Sequence, residues 1–286
     1  MDFIAKLDHL GTLRFGGEDA ETFLQGQLSC DVAGLGPRSS THGAYCSPKG
    51  RMLANFLLWR DDEGFGMVLS RDLVPAVQKQ ISKFVLRSKV KIVDSSEAVV
   101  LVGAVGERAQ RSLAAASGAP LKLSDGRLLL ALPAADAPGV LRGLELADAA
   151  LWRWLDIRAG LPLVTAATQD QFVPQMANLE LLGGVSFEKG CYTGQEIVAR
   201  TQHLGRVKRR MFPAHVGVAA RAGDALYSDD LAGQASGMVL NAEVSPEGGY
   251  DLLAVIQAAS RERSTVHLGA PDGAALGFLP LPYAVA

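Results

Sequence analysis

The chain has 286 residues and a formal net charge of -2, with 48% hydrophobic and 20% charged residues. That length exceeds one small core and suits two or three packed units of a globular rather than a disordered protein. Without a global basic field, a dedicated nucleic-acid binder is argued against, though a local basic stripe stays open.

In chain order, residues 3–15 read as an extended entry that Gly16-Gly17 breaks. Glu18 to Leu28 reads as a helix, with Phe23, Leu24 and Leu28 on one face and acids in its first turns, where the dipole favours them. Pro48-Lys49-Gly50-Arg51 marks a turn between two strands, the second over Leu53 to Arg60. A strand at Gly66 to Ser70, a helix from Asp72 to Leu86 and a strand at Lys89 to Val93 follow. Val99 to Val105 is another buried strand, Glu107 to Ala116 a helix, and Ser124-Asp125-Gly126 a hairpin turn. This β-α-β-β-α-β rhythm suggests a ferredoxin-like unit. Ala147 to Arg158 reads as a helix carrying Leu151, Trp152, Trp154 and Leu155. Residues 160–190 look irregular, which inside a compact protein is often functional. From Lys208 onward, short strands broken by Gly, Pro, Asp and Ser suit a small β-barrel.

Cys30, Cys46 and Cys191 are too few and too far apart for a disulfide framework and fit a reducing compartment. Met1 to Asp8 shows no leader, and no run reaches the roughly 18 apolar residues of a membrane span. The expectation is a cytoplasmic protein with no membrane partner.

The segment Lys189-Gly190-Cys191-Tyr192-Thr193-Gly194-Gln195-Glu196 carries the most chemistry. Thr193 to Glu196 matches a capping box, which would start a helix at Thr193 and place Cys191 two residues before its cap. The helix dipole and a neighbouring Lys189 would both favour the thiolate. Gly190 and Gly194 permit close backbone approach. The opposing reading, a cysteine acting as a small buried hydrophobe, carries about equal weight on physics alone.

Weaker constellations surround it. Cys191 with His203 would make a nucleophile–base pair, against a plain surface histidine. Cys30, His42 and Cys46 lack zinc-finger spacing, so no metal is expected. Arg200, Arg206, Lys208, Arg209 and Arg210 form either a solvated strand edge or an anion site for a carboxylate tail. No phosphate-cradling glycine motif is present.

The octapeptide at 189–196 resembles the signature of the YgfZ-type proteins, K-G-C-[FY]-x-G-Q-E. Phe172-Val173-Pro174-Gln175-Met176-Ala177-Asn178-Leu179 and Gly183-Gly184-Val185-Ser186-Phe187 resemble the lead-in to it. Gly17-Glu18-Asp19-Ala20, Phe23-Leu24-Gln25-Gly26-Gln27 and Ser47-Pro48-Lys49-Gly50-Arg51 are similar to segments shared with glycine-cleavage T-proteins. The resemblance implies a T-protein-like α+β ring of three domains around a channel that holds tetrahydrofolate or a derivative. It also implies a role with iron–sulfur client proteins, tRNA-modifying ones included; direct nucleic-acid contact is not expected, for want of a global basic field. The expected domains are 1–60 with 145–205 as a discontinuous folate-binding domain, 61–144 as the ferredoxin-like unit and 206–286 as the barrel.

Two departures bear on activity. The T-protein carboxylate pair corresponds to Ala54 and Asn55, and its pterin-binding glutamate to Arg158, with Asp156 two residues away. An amide is neither a general base nor a charge for a cationic intermediate. The expected reading is therefore a folate-binding accessory protein rather than a classical aminomethyltransferase, with a one-carbon transferase and a ligand-free scaffold as alternatives. Its catalytic candidates are Cys191 and Lys189. Its cofactor-binding candidates are Asn55, Asp156, Arg158, Gln195 and Arg200. A cluster ligated by this chain alone is not expected, since the candidate thiolate has no spaced partners.

Overall fold

The structure is a computed structural model that describes residues 1–203 and 207–285. Arg206, part of the basic run, lies outside the described residues.

The hairpin expected around Pro48 forms as Ser40–Cys46 against Met52–Asp61, with Ala44 opposite Asn55. Gly64–Ser70 continues it, Leu10–Gly16 pairs next, and Lys91–Asp94 lies at the edge, completing a five-stranded antiparallel sheet. Both faces of this sheet are covered, which is why the Met52 to Trp59 stretch is apolar at every position but Asn55 rather than alternating. One face carries Leu13, Phe15, Leu58 and Met67 against Leu24 of helix Ala20–Gln25, Ile81 of helix Val74–Ser82, and Phe172 and Leu179. The other face, with Leu57, Trp59 and Val68, meets Ala5, Leu129 and Trp152.

The second sheet runs in the order Leu146–Ala147, Phe3–Lys6, Val99–Val105, Leu128–Pro133 and Ala119–Lys122. Helices Glu107–Ser112 and Ala137–Val140 cover its outer side through Ala109 and Ala137. Residues 99–147 thus follow the ferredoxin-like order, with the N-terminal strand inserted between the unit's first and last strands. The pairing departs from the expected start at residue 61. Gly64–Ser70, Val74–Ser82 and Lys91–Asp94 belong with the first sheet, because Leu10–Gly16 lies between the two strands and takes both as neighbours. Periodicity identifies a strand but not its partner.

Helix Ala149–Arg158 begins at Asp148, whose carboxylate accepts the Ala150 N–H at 2.8 Å. Its Trp152 is 1% exposed and wedges between the two sheets. A Cβ on Gly103 would come within 2.3 Å of that indole, so the strand beneath Trp152 needs a glycine.

Residues 160–190 are irregular apart from a 3-10 turn at Pro174–Ala177. The segment is tied down by buried polar groups. Asn178, at φ 56°, donates to the Met211 carbonyl at 2.8 Å. Arg210 donates to the Gln175 carbonyl at 2.9 Å and pairs with Glu180. Arg210 is therefore no part of a surface stripe, whereas Lys208 and Arg209 are exposed.

The C-terminal sheet runs in the order Val266–Leu268, Ala225–Ser228, Ala235–Val244, Tyr250–Gln257, Arg209–Val216 and Gly277–Phe278. The Leu276 N–H donates to the Val266 carbonyl at 2.8 Å, and the Leu268 N–H to the Ala274 carbonyl at 2.9 Å. These bonds join the first strand to the chain entering the last, closing the barrel around Phe212, Leu226, Val239 and Leu252.

Candidate functional site

The 184–195 segment is moored to the first sheet by backbone groups. Ser29 donates to the Gly184 carbonyl at 2.6 Å, and the Ser186 N–H donates to the Ser29 carbonyl at 2.9 Å. The Lys189 ammonium donates to the carbonyls of Gln25 and Leu28 at 2.6 and 2.5 Å, and lies 5.1 Å from the centre of the Tyr192 ring. Lys189 thus closes the C-terminal end of helix Ala20–Gln25, where a cation is favoured. Burial pulls its pKa down, opposed by the nearby Cys30 and Asp31. It is committed to this anchor rather than to the Cys191 thiol.

The helix begins at Gln195, not at Thr193. Gly194 stands before it at φ 84°, and a Cβ there would lie 2.4 Å from the Ser47 carbonyl oxygen. The hairpin tip presses so closely on Gly194 that the chain takes a left-handed glycine conformation, which displaces the capping box. Cys191 is exposed, whereas Cys30 and Cys46 are buried and their thiols are pushed up to about 12 by desolvation. Tyr192 is buried beside it, its hydroxyl without a partner among the described residues. Gln195 opens the helix and Arg200 is exposed on it, away from the cavity described next. The His203 ring packs edge-on against Phe187 at 5.9 Å.

A cavity of about 80 Å³ lies where the first sheet, the ferredoxin-like unit and helix Ala149–Arg158 meet, lined by His42, Asn55, Phe56, Trp152, Asp156 and Leu163 among others. A smaller one of about 40 Å³ continues past Asp156 to Asn241 of the barrel. Asp156 is the ionisable group common to both, beside Leu161 and Leu163. Burial raises its carboxyl to about 6, against the pull of Arg127. Arg127, 5% exposed, donates to Asp156 Oδ1 and to Asp125, each at 2.6 Å, and stacks 4.3 Å from the Trp152 ring centre. Asp156 Oδ2 has no protein hydrogen bond among the described residues, and the side chain stays 23% exposed.

Asn55 reaches the same cavity, but its amide is occupied. Nδ2 donates to the Pro162 carbonyl and Oδ1 accepts the Val164 N–H, both at 2.7 Å. The residue clamps the irregular segment onto the sheet. Arg158 turns the other way, over Trp154 and toward buried Asp251 of the barrel at 3.4 Å. Asp251 also accepts the Trp154 indole N–H at 2.8 Å. Arg158 is a domain-interface residue and does not line the cavity.

The structure therefore joins Asn55 and Asp156, and separates Arg158, Gln195 and Arg200 from them. Sequence reasoning missed His42 and Asn241 as cavity groups, and Arg127 as the group that holds Asp156. The signal for Arg127 was its place just after the Ser124-Asp125-Gly126 turn, where an arginine facing inward needs an acid. Burial lowers the His42 pKa, opposed by Asp125, and the imidazole shares the cavity lining with Asp156. A far larger cleft, about 720 Å³, lies elsewhere, between Arg14 and Trp59 of the first sheet and Ser117 and Pro133 of the second. It contains none of the motif residues, so size alone does not mark the site.

No protein-family model matches the chain. Individual relatives do. It is 34% identical over 308 aligned residues to the tRNA-modifying protein YgfZ of Enterobacter sp. (strain 638), covering 99% of this chain and 93% of the relative. It is 33% identical to that of Edwardsiella ictaluri (strain 93-146), covering 98% and 92%. The chain belongs to the YgfZ family of tRNA-modifying proteins. The YgfZ relative of Photobacterium profundum is 34% identical over 73% of this chain and 68% of its own length. The fold is that of the T-proteins. A crystal structure of the glycine cleavage system aminomethyltransferase T from Bartonella henselae superposes with a TM-score of 0.78 at 19% identity, over 98% of this chain and 86% of that one. Among the described residues, no helix is long and apolar enough to cross a membrane.

Proposed function

We propose that this chain is a cytoplasmic, tetrahydrofolate-binding accessory protein that supports the assembly or maintenance of iron–sulfur enzymes, tRNA-modifying ones among them, with Cys191 as its working thiol. One observation carries the reading. The signature segment holds a single exposed thiol on a frame of buried bonds, while the other two thiols are sealed in the core. The tRNA-modifying name of the relatives supports the client class.

The residues fit a reduced pterin in donor set. Asp156 offers a carboxylate oxygen without a protein partner, suited to the N–H and amino edge of a 2-amino-4-oxopyrimidine ring, and Phe56 and Trp152 supply apolar walls. The cavity of about 80 Å³ matches the edge of such a ring and not a whole folate, so only that edge is assigned to Asp156. When bound, tetrahydrofolate supplies a one-carbon carrier. Asp156 orients it, Arg127 holds Asp156, and the Asn55 clamp keeps the wall in place. The proposal includes no aminomethyl transfer of the T-protein kind, because the Asn55 amide is spent on backbone and Ala54 is buried in the core.

Calorimetric titration with tetrahydrofolate tests the ligand. Saturable binding near micromolar affinity (about -8 kcal/mol) is expected, weakened at least about tenfold by Asp156→Ala and unchanged by Cys191→Ala. An absence of binding to the unaltered protein rejects the folate reading.

A further inference from the structure

Residues 73–93 contain five cations and no acid, so the remainder of a chain of net charge -2 carries -7. All five, Lys79, Lys83, Arg87, Lys89 and Lys91, are exposed. They gather where the end of helix Val74–Ser82 runs into the edge strand Lys91–Asp94. Lys89 pairs with exposed Glu18 at 2.7 Å. The other four form no ion pair among the described residues, and Lys83 meets only the Gln80 side chain. The helix C-terminus accounts for two of them, Lys79 and Lys83, but not for Arg87 and Lys91.

Apolar groups stand in the same patch. Phe84 is 43% exposed, and Leu86 is 88% exposed at φ 45°. A leucine in the left-handed region is strained, and burial of its side chain does not offset that cost here.

We infer that this face binds RNA, with Lys83, Arg87 and Lys91 meeting phosphates and Phe84 stacking on an unpaired base. Exposed cations flanking an exposed aromatic residue along the chain suit a single-stranded or looped nucleic acid. Lysine is depleted at protein–protein interfaces, which disfavours a protein partner for a patch whose cations are mostly lysine. A membrane would need a free apolar helix face, whereas the face of Val74–Ser82 is buried through Val74, Val77 and Ile81. The charge segregation explains how a chain of net negative charge offers a local site for a polyanion. The inference is independent of Cys191 and of the Asp156 cavity.

The test is fluorescence anisotropy of the full chain with a labelled, unmodified tRNA transcript over a salt series. Binding should weaken with salt, and Lys83→Glu with Arg87→Glu should reduce affinity by roughly 100-fold at moderate salt and lower the log–log salt slope by about 1.4. Phe84→Ala should cost about 5- to 100-fold. Lys122→Glu, an exposed cation outside the patch, should change nothing. Unchanged melting temperatures show that each variant folds. Three results would overturn the inference: no binding by the unaltered protein, binding indifferent to the double reversal, or polyglutamate competing as well as RNA with Phe84→Ala silent. Patch-dependent binding of phosphatidylserine vesicles without binding of the transcript would overturn it in favour of a membrane surface.

Discussion

The 184–195 segment and the Asp156 cavity use charge in opposite ways. In the first, the half-buried cation Lys189 is spent on the carbonyls of Gln25 and Leu28, and the thiol it was expected to activate stands in solvent. In the second, the cation Arg127 grips a carboxylate directly, yet burial still lifts Asp156 to about 6. The difference teaches that an adjacent lysine in sequence can serve as scaffold, while an arginine 29 positions away holds the carboxylate of a site whose protonation burial sets. Presentation governs the first region and desolvation the second.

The comparison can be broken at its supports. The largest effect is expected at the base of the signature segment. Arg210→Ala leaves Glu180 buried without its partner and frees the Gln175 carbonyl. It should cost about 3–5 kcal/mol in urea unfolding. Little loss would mean that the irregular segment is held by its apolar residues alone. Next comes Asn55→Ala, which strands the Pro162 carbonyl and the Val164 N–H. A loss of about 2–4 kcal/mol is expected, with faster hydrogen exchange confined to residues 160–166.

The cavity is sharpened by pH. The folded pKa of Asp156 lies above the ordinary carboxylate value near 4, so the folded state holds the proton more tightly. Stability from this group should therefore fall as pH rises from about 4 to about 6 and stay reduced above that. His9 and His42 act in the other direction. Burial depresses both, His9 to about 4, so their contribution is full above about 6.5 and is lost as pH falls. Comparison with Asp156→Asn isolates the carboxyl. Across pH 4 to 7 the unaltered protein should lose about 2–3 kcal/mol relative to the variant. Parallel pH profiles would show that Arg127 fully offsets the burial.

Much of this fold was readable locally. The Trp152 helix, the hairpin around Pro48, the hairpin at Ser124-Asp125-Gly126 and the short strands of the C-terminal sheet follow from periodicity and turn residues, whereas the βαββαβ rhythm was placed one strand–helix–strand too early. What was not readable depended on approaches between distant segments. Leu10–Gly16 recruits Gly64–Ser70 and Lys91–Asp94, which no local pattern encodes. The capping box at Thr193 failed because the Ser47 carbonyl lies against Gly194. Asn55 was named through its likeness to a T-protein position, and Asp156 only as the acid two residues from the matched Arg158; both line the cavity. Arg158, two positions from Asp156, was misplaced because roughly 200° of helical rotation turns it to the barrel side.

The central claim is that Cys191, presented rather than buried, carries the function. The direct measurement is the activity of an iron–sulfur tRNA-modifying enzyme in cells that depend on this chain, comparing the unaltered protein with Cys191→Ala at equal abundance. Because Cys191 is exposed, the variant should melt within about 0.5 kcal/mol of the parent, and client activity should fall to the level of cells lacking the protein. Full client activity with Cys191→Ala would contradict the account and leave the segment a structural strap.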